Sequence, residues 1–310
     1  MLEAGLICSR FLHYAVLMVL FGVSLFPLYA YPSGPQPAWL VRWLRPADLI
    51  AAAGALISAV LWLLFVVGHM SGTINGAIDR DTVWSVLHDT DFGRVWSGRL
   101  ALAIVVLGLT GVRVLSTATG HRDRLTPLFS AALLASLAAV GHTQLNEGIA
   151  GIIHMGADGA HLLAAGAWLG GLLPLGLIIV RAGSEQVDQT PDAGHVLLRF
   201  SGLGYIAVAT LVASGLLNSW FLVGSFSGLT HTPYGQLLLL KLCLFAGLVA
   251  LAALNRFWLV PSLTRAREIG APAVWLAKLR KHIVGEQVLG LLIILIVSIL
   301  GSMRPAINQS

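Results

Sequence analysis

A chain of 310 residues that is 57% hydrophobic and only 11% charged, with a mean hydropathy of +0.84, lies outside the range of soluble domains. Its formal charge of +5 is carried mostly in short loops between apolar runs; this excludes a nucleic-acid partner and gives the basic residues the task of orienting the chain in membrane lipid. Cys8 and Cys243 fall in or beside different apolar runs with no CxxC spacing, so neither a zinc site nor a redox pair is signalled.

Eight apolar segments follow one another, at residues 7–30, 47–70, 93–115, 125–143, 152–180, 200–223, 234–259 and 282–303. At 1.5 Å per residue, segments of about 20 residues or more cross a hydrocarbon core of roughly 30 Å. The predicted fold is therefore an all-α polytopic membrane protein, a bundle of eight transmembrane helices. Residues 1–150 supply the first four helices with an amphipathic loop at 71–92, and residues 151–310 supply the last four. The first segment is too long for a signal peptide and lacks a small-residue cleavage site, so it is read as a retained span. No soluble domain is left over.

Basic residues set the orientation. Thirteen Lys and Arg fall on one side of the eight-span arrangement, among them Arg42, Arg45, Arg113, Arg181, Arg199 and Arg256, and five on the other, Arg10, Arg80, Arg94, Arg99 and Arg304. The positive-inside rule then places both termini in the periplasm. The same arrangement puts seven histidines, His13, His69, His88, His142, His154, His161 and His231, on or just below the outer face, against three near the inner one. Taken singly, His13, His88 and His231 read as interfacial or hydrogen-bonded residues. As a set, the outer histidines read as a metal-attracting vestibule, because imidazole is the commonest protein ligand for copper, zinc and iron. His69 is followed by Met70 and His154 by Met155, while His142 ends the fourth segment close to the start of the fifth.

The loop at 71–92 holds Asp79, Arg80, Asp81, Asp89 and Asp91 with Trp84, Val86 and Leu87 at helical spacing, which predicts a short amphipathic helix on the outer surface. The fifth segment carries the densest chemistry. His154, Asp158 and His161 lie within an arc of about 60° on a helix, so the three side chains share one stripe. The two histidines are about 10 Å apart along the axis, too far to ligate one ion, since metal–nitrogen bonds are about 2 Å. Each therefore needs ligands from neighbouring helices, with His69 and His142 as the expected donors. Asp158 is either an outer carboxylate that fixes an imidazole tautomer or part of a ladder of stations for a moving ion. Met155 is turned about 100° from His154 and reads mainly as packing. Pro174 is expected to kink the inner half, and Trp168 to pack.

Two later charges lie at membrane depth, where a lone charge costs about 2.5 kcal/mol or more. Lys241 stands about as deep as Asp158 and either pairs with it or snorkels outward. Glu286, one turn inside the inner end of the last segment, either receives an ion or proton or pairs with Lys281 or Arg280. Neither a Walker A sequence nor a DKTGT phosphorylation motif is present, so nothing couples the chain to ATP.

From Arg199 onward the runs RFSGLGYIAVATLVASGLLNSW, TPYGQLLLLKLCLF, NRFWLVPSL and EQVLGLLIILIVSILGSMRP resemble the copper resistance D family of bacterial inner-membrane proteins. The upstream H(x)6H(x)6WLGG pattern, His154 to Gly171, is similar to the same family, so that the resemblance covers about half the chain. The resemblance implies a non-enzymatic, multi-pass inner-membrane protein of copper homeostasis that moves copper, as Cu(I) or Cu(II), toward the cytoplasm. It also implies a separate periplasmic copper carrier of the copper resistance C type. His154 and His161 become the leading copper-site residues, with His142, His69, Met155, Met70 and Asp158 as further candidates and Lys241 and Glu286 along the pathway. A transmembrane b-type cytochrome with histidine axial ligands, and a copper-binding accessory protein that transports nothing, are the alternatives.

Overall fold

The computed structural model describes residues 1–32, 36–116, 123–140, 148–182, 193–269 and 271–308. Among these the regular structure is helical throughout: α1 Leu2–Ala30, α2 Ala38–Ser71, α3 Arg80–Asp89, α4 Asp91–Leu115, α5 Leu125–Ala135, α6 Gly148–Ala182, α7 Ala193–Val223, α8 Phe226–His231, α9 Pro233–Leu254, α10 Val260–Glu268 and α11 Ala273–Leu300.

Seven helices are long and apolar enough to cross a membrane, with α9 and α10 forming one continuous span. This differs from the eight spans expected. The fourth segment is a shorter apolar helix, Leu125–Val140, whose last turns tighten to 3-10 geometry at Ser136–Val140. Sixteen helical residues reach about 25 Å, less than the roughly 30 Å of a bilayer core. The expected end of that segment, His142 and Thr143, lies outside the described residues.

Burial ranks the helices. The apolar stretch of α6 is 61% buried and that of α1 56%, against 11% for the α9 span, so α1 and α6 are the axis and α9 faces lipid. α1 packs on α2, α5, α6 and α11; α6 packs on α7, α1, α11 and α5. Ile50, Ile57, Ile104, Leu216, Trp220 and Phe257 are exposed on the outside of the bundle, as lipid-facing side chains must be.

Close approach of α1 and α6 depends on glycine. A Cβ on Gly22 would collide with the backbone of Gly170 and Gly166, and one on Gly170 with the Met18 carbonyl and Gly22. Gly166 and Gly170, four residues apart, form a small-residue groove of the kind that lets membrane helices touch backbone to backbone. α6 runs on through Pro174 to Ala182.

One end of the bundle is basic and tied together by arginines. Arg113 of α4 bridges Asp48 of α2 at 2.8 Å and Asp123 at 3.0 Å. Arg45 donates to the Ser116 carbonyl at 2.6 Å, Arg199 donates to the Ala30 carbonyl at 2.7 Å, and Arg181 lies over the Trp39 ring at 4.9 Å. At the opposite end α3 starts at Asp79, whose carboxylate accepts from the Thr82 amide at 2.9 Å and the Thr82 hydroxyl at 2.6 Å. Those hydrogen bonds hold the exposed Asp79 carboxyl below the ordinary carboxylate range.

Gly170→Val would drive two methyl groups into the α1 backbone. Overpacking of this kind costs about 1–3 kcal/mol, so the melting temperature in detergent should fall; an unchanged value would contradict the crossing described.

Candidate functional site on the α6 face

The site is a zipper between two antiparallel helices. On α6, His154, Asp158 and His161 recur at spacings of four and three; on α7, Ser214, Asn218 and Phe221 do the same in the opposite direction. The ring of His154, 2% exposed, stacks on Phe221 with centroids 4.7 Å apart and planes at 13°. Asp158 Oδ1 accepts from Asn218 Nδ2 at 3.1 Å, and His161 Nδ1 meets Ser214 Oγ at 2.9 Å. Each polar residue of the stripe thus has a partner one turn further along α7.

The hydrogen-bond directions fix the His161 tautomer. Ser214 gives its own proton to the Thr210 carbonyl at 2.5 Å, so its oxygen is left to accept from His161 Nδ1–H. The Nε2 lone pair of His161 is then free, and among the described residues it meets no hydrogen-bond partner. An imidazole held this way, with one nitrogen bonded to a hydroxyl and the other presenting a lone pair, is the form that ligates a transition metal.

Charge around the stripe comes from α9 and α1. The Lys241 ammonium lies within electrostatic reach of both Asp158 and His161. Tyr234 of α9 and Tyr14 of α1 also lie within reach of Asp158. Asp158 and Lys241 form no direct ion pair among the described residues, so Lys241 acts on the site through its field.

The other candidates are dispersed. His69 and Met70 are exposed at the end of α2, which packs on α1, α3 and α4. Met155 is 42% exposed, on the side of α6 away from the zipper. His142 lies outside the described residues. No three His, Cys, Asp or Glu side chains gather as a metal cage among the described residues.

Of the two readings of His13, interfacial or hydrogen-bonded, the second holds: it is 1% exposed, wedged between Trp62 and Trp96. Arg99 can only donate, so it donates to His13 Nε2 at 2.9 Å, and Nδ1–H is given to Ser58 Oγ at 2.8 Å. With both ring nitrogens engaged, His13 is a structural residue. His88 stacks on Trp84 at 3.9 Å on the surface, and His231 is exposed at the end of α8. Glu286, far from the stripe, is 2% exposed, accepts from Asn255 Nδ2 at 2.5 Å and has Trp168 within reach. Sequence reasoning did not single out Ser214, Asn218 or Asn255. Their signal is the α7 face at 214, 218 and 221, matching the α6 stripe in reverse.

Comparison with known proteins agrees along the whole chain. The family described as copper resistance protein D-like, N-terminal domain, matches residues 1–152, and the family described as copper resistance protein D matches residues 194–300. The chain is 34% identical to inner membrane protein YebZ of Escherichia coli (strain K12) over 306 residues, covering 98% of this chain and 100% of that protein. It is 31% identical to copper resistance protein D of Pseudomonas syringae pv. tomato over 305 residues, 96% of each. It is 30% identical to copper transport protein CutJ of Bacillus subtilis (strain 168) over 266 residues, 82% of this chain and 46% of that longer protein. No solved structure matches it.

The tautomer assignment has a direct test. Nitrogen-15 spectra of histidine in the metal-free protein should show His161 as a single Nδ1–H form, and Ser214→Ala should convert it to a mixture. A mixture in the unsubstituted protein would contradict the hydrogen-bond order.

Proposed function

This chain is a multi-pass inner-membrane protein of the copper resistance D family, and from that premise we propose that it carries copper across the bacterial inner membrane, inward from the periplasm. The copper is cargo, received at the α6 stripe. The observation that carries this reading is the His161 ring, whose Nε2 lone pair is left open at membrane depth while Ser214 holds the other nitrogen. A histidine kept only for packing has no need of a fixed tautomer with an unused acceptor.

His154 stands about 10 Å nearer the membrane surface on the same face and is the outer station; Asp158 between them supplies negative charge. His69, Met70 and Met155 serve as collecting ligands outside the zipper, and His142 is a further candidate ligand. Lys241 is the counterweight: its positive field disfavours a cation resting at Asp158, and a transporter needs binding weak enough to let the ion leave.

The excess of basic residues at the end that carries Arg42, Arg45, Arg113, Arg181 and Arg199 supports a cytoplasmic location for that end and a periplasmic location for both termini. We count Leu125–Val140 as a shortened eighth spanning element. The protein acts as a carrier and not an enzyme, and it receives copper from a separate periplasmic carrier of the copper resistance C type. Imidazole with carboxylate suits Cu(II), and imidazole with the methionine thioethers suits Cu(I).

Cells that express His154→Ala together with His161→Ala should accumulate copper at a rate lower by about tenfold or more than the unsubstituted protein at equal membrane levels. Undiminished accumulation would refute the stripe as the path. A purified protein with a Soret band and stoichiometric iron would instead point to a haem protein.

A further inference from the structure

The α6 face does not end at His161. Trp168 lies seven residues below it, as His161 lies seven below His154, so the three rings form one column with steps of about 10 Å. At the foot of that column Trp168, 2% exposed, lies within reach of Glu286 of α11. Asn255 donates to the same carboxyl from the other side.

Asn255 opens a stretch of π-helix, Asn255–Leu259, the one such stretch among the described residues. Pro261 follows after Val260 and withholds a backbone N–H, which is a common reason for a helix to widen there. Two polar atoms beside the carboxyl have no hydrogen-bond partner: Asn255 Oδ1, and His282 Nδ1 one turn earlier on α11.

The cluster is assembled from three helices around a carboxyl that has no cation. α6 carries no charged residue between His161 and Arg181, α9 none between Lys241 and Arg256, and α1 none between Arg10 and Ala30, where its titratable groups are His13, Tyr14 and Tyr29; on α11 Lys278, Arg280, Lys281 and His282 precede Glu286, Lys278 lies over the Trp258 and Trp275 rings, and none of the three cations forms an ion pair with Glu286 among the described residues. Arg256, beside Asn255, makes no ion pair with Glu286. The groups that do meet the carboxyl are N–H donors. An amide donates to the carboxyl and an indole N–H lies within reach of it, and the same hydrogens would oppose a metal ion placed there.

We propose that the Glu286–Asn255–Trp168 cluster is a proton site: Glu286 holds a proton in the resting protein and releases it as copper moves through the α6 column. The O–H bond of Glu286 breaks, the proton leaves by way of His282 toward water at the basic end, and the carboxylate left behind is held by the Asn255 and Trp168 N–H groups. This rests on the copper-carrier reading for its coupling, though not for the proton itself.

Infrared spectroscopy of the full-length, metal-free protein at neutral pH tests the proton directly. A carboxylic-acid carbonyl band that moves in D2O and disappears in Glu286→Gln is expected; Trp168→Phe should shift that band, since the indole N–H beside the carboxyl is lost. No such band, or one that survives in Glu286→Gln, overturns the site. Proteoliposomes with a trapped pH dye test the coupling: copper should drive proton movement with the unsubstituted protein and none with Glu286→Gln. Copper movement without proton movement overturns the coupling. If copper does not move at all while the band behaves as expected, it is the carrier reading that fails.

Discussion

The constraint behind this structure is the cost of placing a polar group where water is absent. Within the membrane every donor and acceptor must find a partner in the protein, and each unsatisfied group costs several kcal/mol. The chain meets that demand with helix register. His161, Asp158 and His154 on α6 meet Ser214, Asn218 and Phe221 on α7 in antiparallel order, and the three contacts hold only at one alignment of the two helices. A slip of one turn would separate all of them, so the polar stripe both specifies the packing and is preserved by it.

The same bookkeeping separates structural polar groups from functional ones. Arg99, His13 and Ser58 form a chain that engages both ring nitrogens of His13, and Arg99 also reaches the Leu133 carbonyl at 2.9 Å and the Ser136 hydroxyl, leaving its Nε without an acceptor among the described residues. Such a network fixes α1, α2, α4 and α5 together and leaves no His13 lone pair to offer a metal. The α6 face differs in what it leaves over. The His161 Nε2 lone pair, the Asn218 Oδ1 and the Lys241 ammonium are surplus capacity held at depth by packing. α1 makes that packing possible, because the glycine crossing at Gly22 and Gly170 brings it against the back of α6.

Much of this was legible in the sequence, for particular reasons. Hydropathy finds the long helices because the bilayer sets a minimum length, and the 100° step of a helix puts His154, Asp158 and His161 on one face. The shortened Leu125–Val140 element was not legible, since apolar composition does not reveal where an α-helix tightens to 3-10 geometry. Nor were the partners of His13. A histidine near the outer end of a span reads as interfacial or hydrogen-bonded, and only the fold shows that Arg99, eighty-six residues away in sequence, occupies its ring. The expected convergence of His69 on the stripe rested on equal depth, but depth says nothing about azimuth, and α2 packs on α1, α3 and α4 while the stripe lies between α6 and α7. The partners of the stripe were visible as residue types on the sixth apolar segment, yet only the antiparallel register shows which of them meets which.

The central claim is that a copper ion received by this protein is bound through the open nitrogen of His161. X-ray absorption at the copper edge, on protein loaded with one copper per chain, measures this most directly. The account predicts the multiple-scattering pattern of imidazole, reduced in amplitude when His161 is replaced by alanine. A spectrum of oxygen or sulfur neighbours alone, or an imidazole pattern unchanged by that replacement, would contradict it.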